Sequence, residues 1–357
     1  MSIKLKHLKK TYDNGEEVLK DINTEIEDGQ FYVLVGASGS GKSTILNAIA
    51  GFIPINDGTI EIDGRDVTNL PPKDRHLAMV FQNYALMPNL TVSENIIFGL
   101  RARHVDKEVQ QERLNEVLQT VHLTEYKDKR PANLSGGQRQ RVSLARALVS
   151  DAKVILMDEP LSNLDAKLRA EMRREIRALQ QHLGLTVVYV THDQTEAMTM
   201  GDQVMLLNQG RIEQIGAPLD LYNAPANTYV ADFFGSPAIN LLDGQLMGNR
   251  LQFVNGVEIT FNHELAGPVR IGVRPESVRL TPQGAFRGRI THIEPLGDGT
   301  NISVEIGAAE PFRLKVSDQL NLRTGNEIAF DILPDQMMLF DADDRLVGLG
   351  PINELAV

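Results

Sequence analysis

Apolar residues fall along this chain in three rhythms, and each predicts a different kind of element. Between Ile3 and Ile26, short alternating stretches such as Ile22-Asn23-Thr24-Glu25-Ile26 are separated by Asp13-Asn14-Gly15 and Asp28-Gly29-Gln30. That combination of period two and turn residues predicts an antiparallel β-layer. Phe31-Tyr32-Val33-Leu34-Val35, Val154-Ile155-Leu156-Met157 and Thr186-Val187-Val188-Tyr189-Val190 are apolar almost without alternation, as expected of buried strands in an open α/β sheet. Leu77–Phe81 and Gly58–Gly64 add short strands. Gln203–Leu207, Asn208-Gln209-Gly210 and Arg211–Ile215 predict a hairpin.

From about Thr91 to Val149 the apolar positions, including Val109, Leu114, Val117, Leu118 and Val121, follow a helical period. A helical block is therefore expected between strands. Asp165 to Leu183 predicts an amphipathic helix with Leu168, Met172, Ile176, Leu179 and Leu183 along one side. After Phe233-Phe234-Gly235 the texture changes to short β-like runs, such as Val269–Val273, Arg289–Ile293 and Ile302–Ile306, punctuated by Gly, Pro, Asn and Asp. Such spacing predicts a small all-β barrel or sandwich. At 357 residues the chain exceeds the usual reach of one core. Two domains are expected, 1–235 and 236–357.

Charge and composition narrow the class. A net charge of −11 leaves no basic footprint for DNA or RNA, and no nucleic-acid partner is expected. The absence of cysteine excludes disulfides and thiolate chemistry, and agrees with a reducing compartment. The first residues, Met1-Ser2-Ile3-Lys4-Leu5-Lys6, contain no apolar leader, and no apolar run reaches the length that crosses a bilayer. Any association with a membrane is expected to be peripheral.

The chemistry centres on Gly36-Ala37-Ser38-Gly39-Ser40-Gly41-Lys42-Ser43-Thr44, which stands between a buried strand and a helix-periodic segment. It is a complete G-x-x-x-x-G-K-[ST] phosphate loop in the context that the pattern requires. The glycines let backbone N–H groups converge on a polyphosphate, Lys42 neutralises it, and the Ser43 hydroxyl is a ligand for Mg²⁺. Further features follow. Ser135 is a good N-cap before Gly136, Gly137 and Gln138, an arrangement equally common as an ordinary helix start. Asp158 and Glu159 close a buried strand, where ligands collect in such sheets. Gln82 and His192 each stand just beyond another strand; Tyr12 precedes a turn.

Taken in order, these motifs resemble those of an ABC-transporter ATPase from residue 3 to 235. The resemblance implies a P-loop ABC ATPase fold with antiparallel β- and helical subdomains, followed by a small OB-like regulatory domain. It implies that Tyr12 stacks on the adenine of ATP, that Gln82 reaches Mg²⁺ and the attacking water, and that Asp158 serves Mg²⁺. It makes Glu159 the general base and His192 the switch residue at the γ-phosphate. Ser162-Asn163-Leu164-Asp165 matches the loop that crosses to a partner subunit. Ser135 to Gln138 of one copy then closes over ATP held by the other, in a head-to-tail homodimer. Phe81–Pro88, Met157–Arg169, Gly235–Asn240 and Val273-Arg274-Pro275-Glu276 are similar to bacterial carbohydrate-importer subunits of the maltose and glycerol-3-phosphate type. Iron, polyamine and sulfate importers remain alternatives, as does a soluble non-transport ABC ATPase. The implied partners are two integral-membrane permease subunits, indirectly an extracytoplasmic solute-binding protein, and a regulatory protein on the C-terminal domain. The implied location is the cytoplasmic face of the membrane. Met87 and Asn89 depart from the common form of this subfamily. Asn83–Pro88 is expected to present Tyr84, Leu86 and Met87 as an apolar surface for a membrane-subunit helix.

Overall fold

A computed structural model describes residues 1–253, 255–260, 266–317 and 320–350, and divides into two compact units, Met1–Pro218 and Leu219–Val357. In the first unit, β1 (Ile3–Thr11) and β2 (Glu17–Ile26) precede β3 (Phe31–Gly36) and α1 (Lys42–Ala50). Next come β4 (Asp57–Ile62), β5 (Arg65–Asp66) and β6 (Leu77–Val80). The expected helical block is α2 (Val92–Ala102), α3 (Lys107–Thr120) and α4 (Gly136–Leu148). β7 (Val154–Asp158), α5 (Ala166–Leu183), β8 (Thr186–Val190), α6 (Gln194–Met200), β9 (Gln203–Asn208) and β10 (Arg211–Gly216) complete the unit.

The alternating N-terminal strands pair antiparallel in the order β2-β1-β4-β5, while the apolar strands form a second sheet in the order β10-β9-β3-β8-β7-β6. Within that second sheet β9, β3, β8, β7 and β6 are parallel and only the β9–β10 hairpin is antiparallel. One apolar core joins α1 to both sheets, with Ile3, Leu5, Leu34, Ile45, Ile49 and Val188 among its buried members. The helical block has a separate core built from Val92, Ile96, Leu100, Leu114, Leu118 and Val142. Because β3 is central, its C-terminal end lies between those of β8 and β9, the position at which an open parallel sheet receives its ligand.

One face differs from expectation. α5 buries Met172, Ile176 and Gln180, whereas Leu183 is 37% exposed. The Gln180 amide donates to the carbonyls of Gly29 and Leu185, at 2.7 and 2.9 Å, so a polar residue ends the buried stripe with its donors used.

In the second unit two antiparallel sheets share a core rich in aromatics. Phe286 stands edge-on to Phe253 at 5.0 Å and stacks with Phe330 at 5.6 Å, which in turn stacks with Phe312 at 5.2 Å. This unit begins upstream of the change in texture at Gly235. Helices Pro218–Asn223 and Thr228–Phe233, which the sequence pattern does not predict, are bound into it by Arg274. The buried guanidinium donates to the carbonyls of Tyr222, Ala231 and Phe234 and lies 4.0 Å from the centre of the Tyr222 ring.

Candidate nucleotide-binding site

β3 delivers the chain to Gly36, and α1 begins six residues later at Lys42. A Cβ on Gly36 would stand 2.2 Å from the Leu207 carbonyl oxygen, and one on Gly41 2.8 Å from the Leu19 side chain, so the tight path needs glycine at both. Gly41 is the N-cap of α1 and has no side chain to cap it. The first-turn amides of Lys42, Ser43 and Thr44 have no partner inside the helix and stand at the positive end of its dipole. That is an anion cradle. The Lys42 ammonium, 6% exposed, donates to the carbonyls of Gly36 and Ala37 at 2.9 and 2.8 Å and approaches Ser40 Oγ at 3.4 Å. Burial pulls its pKa down, against the opposing pull of Glu159 and Asp158.

The acidic side of the site is assembled from the ends of β7 and β8. Ser43 Oγ donates to Asp158 Oδ1 at 3.1 Å. Burial raises the Asp158 carboxyl above its ordinary value, opposed by the Ser43 hydrogen bond, while Glu159 adds to the rise. Glu159 takes a left-handed φ of 41°, uncommon for a side chain of its size, and its amide donates to the Val190 carbonyl at 3.0 Å. Its Oε2 lies 3.2 Å from His192 Nδ1. Gln82 reaches the same group indirectly: its amide donates to Ser162 Oγ at 3.3 Å, and that hydroxyl donates to the Glu159 carbonyl at 2.9 Å. Asn163 closes the loop by donating to the Gln82 carbonyl at 3.0 Å.

An open cleft of about 610 Å³ brings Tyr12, Ser38, Gly39, Gly41, Lys42, Ser43, Thr44, Glu159 and His192 together. Tyr12 is 40% exposed, with Lys10 Nζ 5.1 Å from its ring centre. Glu16, just before β2, and Val18, on it, also line the cleft; neither carries a motif by which sequence reading could have found it. Ser135, Gly136, Gly137 and Gln138 do not line it. Ser135 instead closes a capping box with Gln138 at the head of α4. A Cβ on Gly137 would come 3.0 Å from the Leu168 side chain of α5.

The donor set suits a magnesium-bound nucleoside triphosphate. A hydroxyl and a carboxylate side by side are hard oxygen ligands. Among the described residues no group of three or more His, Asp or Glu forms an all-protein metal site.

Residues 19–162 match the ABC transporter family, and residues 271–340 match the TOBE domain. The sn-glycerol-3-phosphate import ATP-binding protein UgpC of Jannaschia sp. (strain CCS1) is 44% identical over 345 residues, covering 96% of this chain and 98% of the relative. This chain belongs to the ABC transporter ATP-binding protein family. The UgpC of Vibrio vulnificus (strain CMCP6) is 43% identical over 97% of the chain and 95% of its own length. The uncharacterized ABC transporter ATP-binding protein YcjV of Escherichia coli O157:H7 is 45% identical over 96% and 98%. A solved dimer of the ATP-binding cassette MJ0796, bound to ADP and Pi after hydrolysis, is 35% identical with a TM-score of 0.54, covering 60% of this chain and 98% of its own. This ABC cassette is accordingly an ATP hydrolase.

One expectation for the ABC cassette is corrected. Tyr84 is only 7% exposed and does not contribute to an apolar surface. Tyr84 and Ala85 take left-handed φ values of 62° and 46°, which turn the ring inward. Leu86 packs against the helical core. Exposed large apolar side chains of the first unit include Phe52, at 50%, which stacks on Phe81 at 6.1 Å, and Phe98 of α2, at 42%.

Proposed function

We propose that this ATPase drives import of a sugar-like solute, with sn-glycerol 3-phosphate the first candidate, as a head-to-tail homodimer at the cytoplasmic face of two permease subunits. A solute-binding protein outside the membrane delivers the cargo, and a regulatory protein engages the C-terminal β-unit. The observation that carries the reading is the convergence of the phosphate loop, Glu159 and His192 on one cleft, with Asp158 hydrogen-bonded to Ser43 of that loop, in a chain that matches glycerol-3-phosphate import proteins along 96% of its length. Among the described residues no helix is long and apolar enough to cross a membrane, which agrees with attachment through partner subunits.

In this reading the triphosphate lies on the first turn of α1, where amides and the Lys42 ammonium offset its charge. Lys42 exchanges its carbonyl partners for phosphate oxygens. Ser43 and Asp158 would hold Mg²⁺, whose charge would further neutralise the phosphoryl oxygens. Glu159 accepts the proton of the attacking water, and His192, already 3.2 Å from it, orients that carboxylate and faces the transferred group. Gln82 reports the state of this centre because Ser162 ties it to the Glu159 backbone. Tyr12 stacks on adenine. Since Ser135–Gln138 do not line the cleft of their own chain, a second copy supplies them, and closure depends on nucleotide at both sites.

Glu159→Gln tests the reading. The variant is expected to bind Mg-ATP with affinity near that of the unaltered chain, to lose turnover by about 10²-fold or more, and to sediment as an ATP-bound dimer. Turnover close to that of the unaltered protein would remove Glu159 from the base role. Co-purification of the permease and binding subunits, with stimulation of the assembled complex by candidate solutes, identifies the cargo.

A further inference from the structure

A buried carboxylate behind the cleft touches none of the residues assigned to ATP. Glu196 lies on α6, is 3% exposed, and accepts two hydroxyl hydrogen bonds on Oε2, from Tyr189 at 2.8 Å and Thr191 at 2.7 Å. A buried carboxylate with hydroxyl partners on β8 and just beyond it is an expensive arrangement to keep for packing alone. Its geometry gives it a use. The Thr191 hydroxyl that donates to Glu196 also accepts from the Asp193 amide at 3.0 Å, and the Thr191 amide donates to the Leu34 carbonyl of β3 at 3.1 Å. His192 is the residue between them. Asp193 is fixed on its other side: its carboxylate caps α6 by accepting from the amides of Thr195 and Glu196, at 2.7 and 3.2 Å, and pairs with Arg169 at 3.4 Å.

Both neighbours of His192 are thus pinned while His192 itself is 63% exposed. An exposed imidazole has little packing of its own to hold it at 3.2 Å from Glu159. The backbone must do so.

We propose that Glu196 is a positioning residue for His192, acting through the Thr191 hydroxyl to fix the turn that aims the imidazole at Glu159 and the transferred phosphoryl group. The proposal rests on the role given to His192 above. A misplacement of about 1 Å in a reacting group lowers turnover by about 10²-fold, whereas binding of Mg-ATP draws on α1 and Lys42, which Glu196 does not touch.

The test is steady-state ATPase kinetics on the full-length chain, with nucleotide affinity by calorimetry. Glu196→Ala is expected to lower kcat tenfold or more while the affinity for Mg-ATP stays within about twofold. Glu196→Gln, which keeps an acceptor oxygen for both hydroxyls, is expected to restore most of the turnover. In a His192→Ala background, Glu196→Ala should add little further loss, because the group it positions is gone. Undiminished kcat in Glu196→Ala overturns the proposal. So does an equal loss with and without His192, which marks a general structural role, and so does a Gln variant as impaired as Ala. If alanine at 196 prevents folding, Thr191→Val carries the same prediction, and a folded Thr191→Val with unchanged turnover overturns it. Full activity of His192→Ala refutes the role of His192 itself; an inactive His192→Ala beside a fully active Glu196→Ala refutes Glu196 alone.

Discussion

Asp158 shows how the site trades stability for chemistry at the scale of one residue. Its carboxyl is raised by burial and by Glu159, with the Ser43 hydroxyl and Lys42 acting against the rise. A folded-state pKa above the unfolded value means that the ionised form costs stability at neutral pH, and that the cost fades as pH falls through the raised value. Asp158→Asn is therefore expected to raise the Tm of the nucleotide-free protein at neutral pH by a few degrees, with the gain shrinking toward acid, and to abolish Mg-ATP turnover. Thermal melts across that pH range, paired with ATPase rates, check it; a lower Tm at neutral pH would mean that the Ser43 bond outweighs the burial. Lys42 carries the matching cost on the basic side, since burial lowers its pKa and it is held by the Gly36 and Ala37 carbonyls and the Ser40 hydroxyl of its own loop.

At the scale of elements, α4 does more than present Ser135 at its head. Further along it, Ser143 Oγ donates to the Tyr84 carbonyl at 3.1 Å, and Arg146 donates to the carbonyls of Tyr84 and Ala85 at 2.8 and 2.6 Å. The segment that follows Gln82 is therefore clamped in its left-handed conformation by the same helix that begins with Ser-Gly-Gly-Gln. Asn95 of α2 holds the next stretch, accepting from the Met87 amide at 2.8 Å and donating to the Met87 carbonyl at 3.1 Å. Any rotation of the helical block must then carry the Gln82 loop with it. Arg146→Ala leaves two left-handed residues without their charged donor, and hydrogen bonds of that kind contribute about 2 kcal/mol. The expected outcome is a lowered urea midpoint with the slope unchanged; an unchanged midpoint would show that Ser143 alone fixes the turn.

At the scale of the whole molecule, the two compact units meet in sequence at Pro218 and Leu219, while the texture changes only at Gly235. Every residue assigned to ATP lies in the first unit. A chain ending at Pro218 is expected to fold and bind Mg-ATP with nearly full affinity. A chain ending at Phe234 should behave worse, because it keeps the two short helices but loses Arg274, which satisfies the carbonyls of Tyr222, Ala231 and Phe234. Phe234, 0% exposed in the full chain, would lose its covering as well. Gel filtration and calorimetry on the two truncations decide the matter. Aggregation of the shorter chain beside a monodisperse longer one would reverse the assignment of these helices.

What the sequence determined by itself follows from period and local chemistry. Alternation in Ile3–Ile26, unbroken apolar runs at Phe31, Val154 and Thr186, and the spacing of Gly36 to Ser43 each depend on residues close in the chain, so strands, helical block and phosphate loop were all legible. The motif order was legible for the same reason. Tertiary structure alone decided which distant residues meet. The 3.1 Å bond from Ser43 to Asp158 spans 115 positions, and the link from Gln82 to Ser162 spans 80; strand order in the sheet creates both. Only the fold could turn Tyr84 inward, since its left-handed backbone, in the turn after β6, is held by Arg146 and Ser143 of α4. Glu196 was unreadable on the same principle. On α6 it is one polar residue in a short helix, and its burial arises only where that helix folds back on β8 and sets its carboxylate against Tyr189 and Thr191.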